Sequence, residues 1–297
     1  MVRDELEGIM PKRAQVEKLC TGLQFTEGPV WDRREKCLLF SDIQFDRENP
    51  REFDSELPGN RIMRWSQSKG LEVFREPSGN SNGLTFDREG NLIVCEMENR
   101  CISSIGQDKV RRVLVDRFEG KRFNAPNDLV VGFDGTIYFS DPEYGTYIGN
   151  REIPQQGLYR FNPIDQSINM LTEDFVQPNG LAFSPDYHYL YVVDSARAFY
   201  HIRLFDVDDE GNTTGGRVIA KVPGADGMKI DSNGRLYVAC REGVCILSRS
   251  GEHLGVIRAP ERPSNLAWGD SDWKSLYLTG RTSIYRMRLL TQGIPTF

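Results

Sequence analysis

The chain has 297 residues, with 37 Lys and Arg against 43 Asp and Glu, which gives a formal net charge of −6 at pH 7. Hydrophobic residues make up 39% and charged residues 27%, a composition typical of a folded globular protein that excludes general disorder. No apolar run approaches the ~18 residues of a membrane span, and there is no basic stripe. We therefore expect neither a membrane nor a nucleic acid as a partner.

The cysteines indicate a reducing compartment. There are six, at positions 20, 37, 95, 101, 240 and 245, and none forms a C-x-x-C pair. Only three histidines are present, so zinc sites and histidine relays are hard to assemble. The pattern predicts buried, reduced thiols in a cytoplasmic protein.

A short motif recurs six times along the chain. Each copy is an apolar strand opened by a polar or acidic residue: Glu27, Asn82, Asn127, Asn179, Asp226 and Ser264. A turn and a second strand follow each copy, at residues 37–41, 92–95, 137–140, 190–193, 236–239 and 276–279. A multi-strand repeat of about 40–50 residues is typical of one β-propeller blade, and matches this pattern better than a β-sandwich or jelly roll.

The strand count predicts how the ring closes. Third strands are expected in all six copies, and fourth strands in the first five. The last copy ends before a fourth strand, and residues 15–20 could supply it, which removes a free sheet edge. We therefore predict an all-β, six-bladed propeller formed by residues 1–297 as a single domain, with its ring closed by the N-terminal strand.

The propeller geometry predicts a polar ring at its centre. The first strand of each blade lines the central channel, so the six opening residues should surround one axis. Strand starts attract polar residues as turn caps, which explains Asn and Ser but not Glu27. Converging carboxylate and amide oxygens, without Cys or His, select a hard divalent cation: calcium first, then magnesium or manganese.

The ends of the second strands should lie above the same ring. They carry four acids and two bases, which predicts a largely acidic mouth: Asp42, Glu96, Asp141, Asp194, Arg241 and Arg281. Two long loops on this face, residues 43–60 and 142–156, are expected to cover part of the entrance.

Five motifs in order along the chain carry a family resemblance. They are Glu27-Gly28-Pro29-Val30-Trp31, Pro126-Asn127-Asp128, Ser140-Asp141-Pro142, Pro178-Asn179-Gly180-Leu181 and Asp226-Gly227-Met228. Together they resemble the gluconolactonase / senescence-marker-protein (regucalcin-like) family from about residue 27 to 281. The resemblance implies a propeller that hydrolyses sugar lactones and other lactones with one central divalent cation, usually calcium, with magnesium, manganese or zinc as alternatives.

The resemblance also implies individual roles. The metal ligands would be Glu27, Asn127, Asn179 and Asp226, and Asp226 would also be the catalytic base that activates water. Animal members carry an Arg two residues before the ring Asn that helps to hold the sugar acid. This chain has Ala125 there, so substrate contacts from that branch are not transferred.

The resulting hypothesis is a lactonase. A cation in the ring would polarise the lactone carbonyl, and Asp226 or a neighbouring carboxylate such as Asp194 would deprotonate the attacking water. Further candidates for substrate contact are Asn82, Asp141, Tyr144 and Arg281. Two alternatives remain: a phosphotriesterase- or fluorophosphatase-like hydrolase on the same ring, and a non-catalytic calcium-binding platform. The expected partner is a small-molecule lactone, and the chain is expected to be a monomer or homodimer.

Overall fold

The computed structural model describes residues 6–44, 60–144 and 151–297, which form strands and their connections, with no α-helix among them. The strands build six antiparallel four-stranded sheets and one small hairpin. The predicted all-β, six-bladed propeller is therefore confirmed. Within the part of the chain described, no helical segment has the length and hydropathy of a membrane span.

Blades 1 to 3 follow one another along the chain. Blade 1 contains β2 (Thr26–Asp32), β3 (Cys37–Asp42), β4 (Arg61–Ser66) and β5 (Gly70–Arg75). Blade 2 contains β6 (Ser81–Phe86), β7 (Leu92–Glu96), β8 (Cys101–Ile105) and β9 (Arg111–Val115). An unpredicted hairpin of β10 (Arg117–Phe118) and β11 (Lys121–Arg122) precedes blade 3, which contains β12 (Leu129–Val131), β13 (Ile137–Asp141), β14 (Gln156–Phe161) and β15 (Ile168–Phe175).

Blades 4 to 6 complete the ring. Blade 4 contains β16 (Pro178–Phe183), β17 (Tyr189–Asp194), β18 (His201–Val207) and β19 (Thr213–Lys221). Blade 5 contains β20 (Met228–Ile230), β21 (Leu236–Cys240), β22 (Gly243–Leu247) and β23 (His253–Arg258). Blade 6 contains β24 (Pro263–Gly269), β25 (Ser275–Gly280) and β26 (Ser283–Arg288), and β1 (Glu17–Thr21) pairs with β26 as its outer strand.

Aromatic side chains fill the space between neighbouring blades. The first strands contact one another in sequence order around the axis, and β24 of blade 6 contacts β2 of blade 1. At that junction Trp31 stacks on Tyr277 with ring centroids 5.3 Å apart. Between blades 5 and 6, Tyr237 meets Trp268 edge-on at 4.9 Å. Such pairs bury large apolar areas in a preferred geometry, so they hold the sheets face to face.

The two ends of the central channel differ in chemistry. At the end remote from the polar strand starts, an apolar cavity is lined by residues such as Leu129, Phe183 and Trp268. The C-terminal segment, including Ile294 and Phe297, lies against this cavity. Gly293 anchors the segment because its N–H donates to the Trp273 carbonyl at 2.8 Å. The polar and acidic residues that open the inner strands therefore lie at the other end of the channel from this apolar cavity.

All six cysteines are free thiols, as the sequence predicted, and five of them are buried. Burial raises the pKa of the Cys245 thiol to about 12 and that of Cys20 to about 11. Because the thiolate is the reactive form, these cysteines are packing residues and not nucleophiles.

Candidate active site

The six opening residues do lie around the central channel, where each inner strand begins. Asn127 and Asp226 stand just before β12 and β20, and the other four lie within β2, β6, β16 and β24. Five of the six side chains are buried, and Asp226 is partly exposed. The structure therefore brings together the four predicted metal ligands: Glu27, Asn127, Asn179 and Asp226.

Glycine at the next position lets the inner strands approach closely. Gly28 has a φ of 51°, and a Cβ atom there would lie 1.9 Å from the Asn82 carbonyl oxygen. The N–H of Gly83 donates to the Asn127 carbonyl at 2.7 Å, and that of Gly227 donates to the Ser264 carbonyl at 2.8 Å. No side chain fits at such contacts, so glycine is required there.

Two blades break this glycine pattern, and they face each other across the axis. Blades 3 and 6 carry Asp128 and Asn265 in place of glycine, and both are buried. Asn265 Nδ2 donates to Asp128 Oδ2 at 3.1 Å and to Glu27 Oε2 at 3.2 Å. This pair was not predicted from the sequence. Comparing the six copies one residue further along would have revealed it.

Glu27 is held in surroundings that disfavour its charge. Burial raises its pKa well above the usual range, and the nearby carboxylates of Asp226 and Asp128 raise it further. Hydrogen bonds from the Gly28 N–H, at 2.8 Å, and from Asn265 oppose this rise. The centre therefore carries repelling negative charge that its own donors offset only in part.

Asp226 faces a similar environment with opposite charges nearby. Burial raises its pKa to about 7, while Arg262, a hydrogen bond from Asn179, and Arg281 counteract the rise, and Asp128 adds to it. A carboxylate with a pKa near neutral can exchange protons at physiological pH, which suits a general base.

A hydroxyl pair fixes the orientation of the Asn179 amide. The Tyr144 hydroxyl and Ser195 Oγ are 2.7 Å apart, and Asn179 Nδ2 lies 3.3 Å from the former and 3.4 Å from the latter. Because both hydroxyls engage the nitrogen, the Asn179 carbonyl oxygen is left for another partner. Sequence reasoning named Tyr144 but not Ser195, which directly follows β17.

Three side-chain oxygens in the ring accept no hydrogen bond from any described residue: Glu27 Oε1, Asn127 Oδ1 and Asn179 Oδ1. With the partly exposed Asp226 carboxylate they form the hard-oxygen set that calcium or magnesium takes. In the described ranges, no group of three or more His, Cys, Asp or Glu side chains could hold an ion. A cation would thus depend on the two amides, and the residues present fit one.

The two remaining ring residues are engaged in local contacts. Ser264 Oγ donates to the carbonyl oxygen of Thr26 at 2.6 Å, which joins blades 6 and 1. Asn82 Nδ2 contacts the Met97 sulfur at 3.5 Å, so its amide keeps most of its hydrogen-bonding capacity. Ser264 therefore acts in blade closure, whereas Asn82 can still contact a ligand.

The structure contradicts the predicted acidic mouth. Asp42, Glu96, Asp141 and Asp194 are at most 2% exposed and tie down the chain. Asp42 accepts the Gln24 N–H at 2.8 Å and pairs with Arg61, whereas Glu96 pairs with Arg111. Asp141 accepts the Asn124 N–H at 2.7 Å, and Asp194 accepts three backbone N–H groups. Buried strand-end carboxylates of this kind act as loop caps.

Asp141 and Asp194 therefore leave little carboxylate surface for a substrate or a water molecule. Arg241 and Arg281, which the sequence placed at the other two strand ends, lie one residue beyond those ends and are exposed. The predicted lid loops fall mostly on residues 45–59 and 145–150, which lie outside the described residues.

Known proteins resemble this chain over most of its length. The family model described as "SMP-30/Gluconolactonase/LRE-like region" matches residues 25–282. A gluconolactonase of Zymomonas mobilis is 31% identical, covering 97% of this chain and 85% of its own. The solved gluconolactonase structure from Xanthomonas campestris is 28% identical with a TM-score of 0.85, covering 97% of this chain and 93% of that one. A pentonolactonase of Haloferax volcanii is 27% identical over 87% of this chain and 82% of its own.

Proposed function

Because the chain belongs to the SMP-30/gluconolactonase/LRE-like family, we propose that it is a lactonase that hydrolyses a sugar lactone with the help of one divalent cation. Gluconolactonase and pentonolactonase relatives support the reaction class. They also disfavour a non-catalytic platform. Nothing in the site favours a phosphotriester over a lactone, so that alternative becomes an arm of the test.

Glu27, Asn127, Asn179 and Asp226 would hold the cation. This assignment rests on the three ring oxygens that accept no hydrogen bond from any described residue. They lie beside the carboxyl groups of Glu27 and Asp226, whose pKa values are raised by burial, so a bound cation would stabilise the charged forms. Calcium is the first candidate because all the donors are hard oxygens. When bound, the cation supplies Lewis-acid polarisation of the lactone carbonyl.

The chain's own groups would carry out the remaining tasks. Asp226 would take a proton from the attacking water, since it is the ring carboxylate with partial exposure. Asn82 borders the ring and would contact a sugar hydroxyl, whereas the Tyr144 hydroxyl would support the Asn179 amide. We leave Asp141 out of the substrate contacts, because it has no exposed surface and holds a backbone N–H. The free cysteines support a cytoplasmic location.

The test is lactone hydrolysis by protein stripped of metal with a chelator and then resupplied with calcium, magnesium, manganese or zinc. The panel holds glucono-1,5-lactone, a pentonolactone, an aliphatic γ-lactone and a phosphotriester. We expect sugar-lactone hydrolysis that is lost on stripping and restored by calcium. Hydrolysis unaffected by stripping would refute the metal assignment, and turnover of the phosphotriester alone would refute the substrate class.

A further inference from the structure

Three arginines lie together on one side of the mouth, at blades 5 and 6. Arg241 and Arg281 directly follow β21 and β25, one residue beyond Cys240 and Gly280, which hold the register positions of the buried capping acids in blades 1 to 4. Arg262 directly precedes β24. Arg241 and Arg281 are exposed and Arg262 is half-buried. Four blades thus close this end with carboxylates, whereas two neighbouring blades present guanidinium groups.

Backbone contacts fix two of these arginines beside the ring carboxylates. Arg262 Nη2 donates to the Gly224 carbonyl at 3.1 Å, two residues before Asp226. The backbone carbonyl of Arg281 accepts the Thr26 N–H at 3.1 Å, one residue before Glu27. A Cβ atom at Gly224 would lie 3.2 Å from the Arg241 Cβ and 3.4 Å from Arg262 Nη2. Arg241 and Arg262 are therefore neighbours.

These side chains lack the partners that other arginines have. In the described part of the chain, no carboxylate lies within ion-pair distance of Arg241, Arg262 or Arg281. Arg61 of blade 1, in contrast, is 2.6 Å from Asp42. The acid next to Arg262, Glu261, is engaged elsewhere, because it accepts hydrogen bonds from Thr282, Ser283 and Tyr285. Among the described residues, no ion pair therefore neutralises the positive charge of these three arginines.

We propose that Arg262 and Arg281, with Arg241 beside them, bind an anionic substituent of the substrate, so that the preferred lactones carry their own carboxylate or phosphate group. The guanidinium fork matches the oxygens of both anions and discriminates against neutral groups. The proposal rests on the proposed function. Hydrolysis adds one water across the ring ester and breaks its acyl C–O bond. It releases a hydroxy acid that loses one proton, while the substituent is unchanged.

The experiment compares kcat/KM for a neutral lactone, glucono-1,5-lactone, with that for two anionic ones. D-glucaro-1,4-lactone tests the carboxylate source, and 6-phosphoglucono-1,5-lactone tests the phosphate source. We expect the wild type to prefer at least one anionic lactone and to lose this preference at high salt. R262Q keeps a donor for the Gly224 carbonyl and removes the charge. It should lower the anionic-to-neutral ratio by about tenfold, mainly through KM.

R249Q is the matched control, since Arg249 lies in the β22–β23 turn at the opposite end of blade 5 and stacks on Tyr189. It should leave the ratio unchanged. Equal effects of R262Q on neutral and anionic lactones, or a wild-type preference for the neutral one, would overturn the proposal while leaving the lactonase assignment intact.

A binding measurement keeps the proposal testable without turnover. Calorimetry with calcium-supplied protein compares glucarate, which has a second carboxylate, with gluconate, which has one. R262Q should weaken glucarate binding about tenfold more than gluconate binding. If both weaken equally, the arginines recognise no substituent, whatever the panel of lactones shows.

Discussion

Asn265 Nδ2 donates to Asp128 Oδ2 at 3.1 Å across the propeller axis, joining blades 6 and 3 through two residues that are 137 positions apart in sequence. The same nitrogen lies 3.2 Å from Glu27 Oε2. One neutral amide thus bridges two buried carboxylates, one of which would hold the proposed cation. Because this contact occupies Oε2, Glu27 Oε1 is left free for the ring. Asn265 is therefore a positioning residue for the candidate metal ligand.

Replacing Asn265 with Ala should weaken calcium binding by about tenfold, as losing a group that orients a metal ligand usually does. Isothermal titration calorimetry of chelator-stripped protein measures this. Asn124→Ala is the control, because Asn124 is equally buried but donates to the backbone carbonyls of Gln155 and Asp141. It should cost stability without changing calcium affinity. The same pattern in Asn265→Ala would reduce Asn265 to a packing role.

Glu27→Gln should lower calcium affinity by at least about tenfold, since affinity depends on the charge count of the ligands. The Gln carbonyl can still accept from Gly28 and Asn265, but its NH2 group then faces the ring. Calcium titration followed by thermal unfolding measures the loss, because a bound ligand stabilises the folded state in proportion to its affinity. Undiminished affinity would remove Glu27 from the ligand set.

Asp226→Asn should abolish most turnover while retaining part of the calcium affinity. The amide still offers an oxygen ligand but cannot take a proton from water, and loss of a general base costs about 10²–10⁴-fold in kcat. Steady-state kinetics at saturating calcium separates the two effects. Asp186→Asn, at an exposed turn between β16 and β17, is the control for a generic change of charge. A wild-type rate in Asp226→Asn would refute the base assignment.

Tyr144→Phe distinguishes positioning from substrate contact. Its hydroxyl is 3.3 Å from Asn179 Nδ2, so we expect calcium affinity to fall by a few fold to about tenfold. A pure substrate contact would raise KM and leave calcium affinity unchanged. Tyr159→Phe is a matched control, because the buried Tyr159 hydroxyl has no hydrogen-bond partner among the described residues. Its removal should change neither quantity.

Asp141 should make stability depend on pH. Burial raises its pKa to about 7, although N–H groups of residues 124 and 125 oppose the rise. Between about pH 4 and 7 the folded state then holds a proton that the unfolded state releases. The free energy of unfolding should therefore fall with rising pH, by up to about 1.4 kcal/mol per unit relative to Asp141→Asn.

Denaturant unfolding of both proteins at pH 4.5, 6 and 7.5 provides the measurement. Parallel pH profiles would contradict the raised pKa. Since Asp141 is fully buried, kcat/KM of Asp141→Asn should stay within about twofold of wild type, a small change for a side chain outside the transition-state contacts. A large drop in kcat/KM would restore the substrate contact that the sequence predicted.

The sequence by itself determined the blade count and the polar ring. Both follow from local rules: strands alternate, turns need glycine, and each repeat places one opening residue at the inner end of its first strand. Glu27 stood out because turn preference does not explain a Glu there. Repetition of a local pattern is readable without coordinates, so six copies were enough to predict an axis and the residues around it.

Only the tertiary structure decided how those side chains are employed. It placed Asp128 against Asn265, gave Asn179 its Tyr144–Ser195 support, and turned the mouth carboxylates into buried caps. Among the described residues, it also left Arg241, Arg262 and Arg281 without a carboxylate at ion-pair distance. Each of these outcomes depends on contacts between distant segments, because a carboxylate of the same type caps a loop or faces solvent according to which backbone donors the neighbouring chain brings near it.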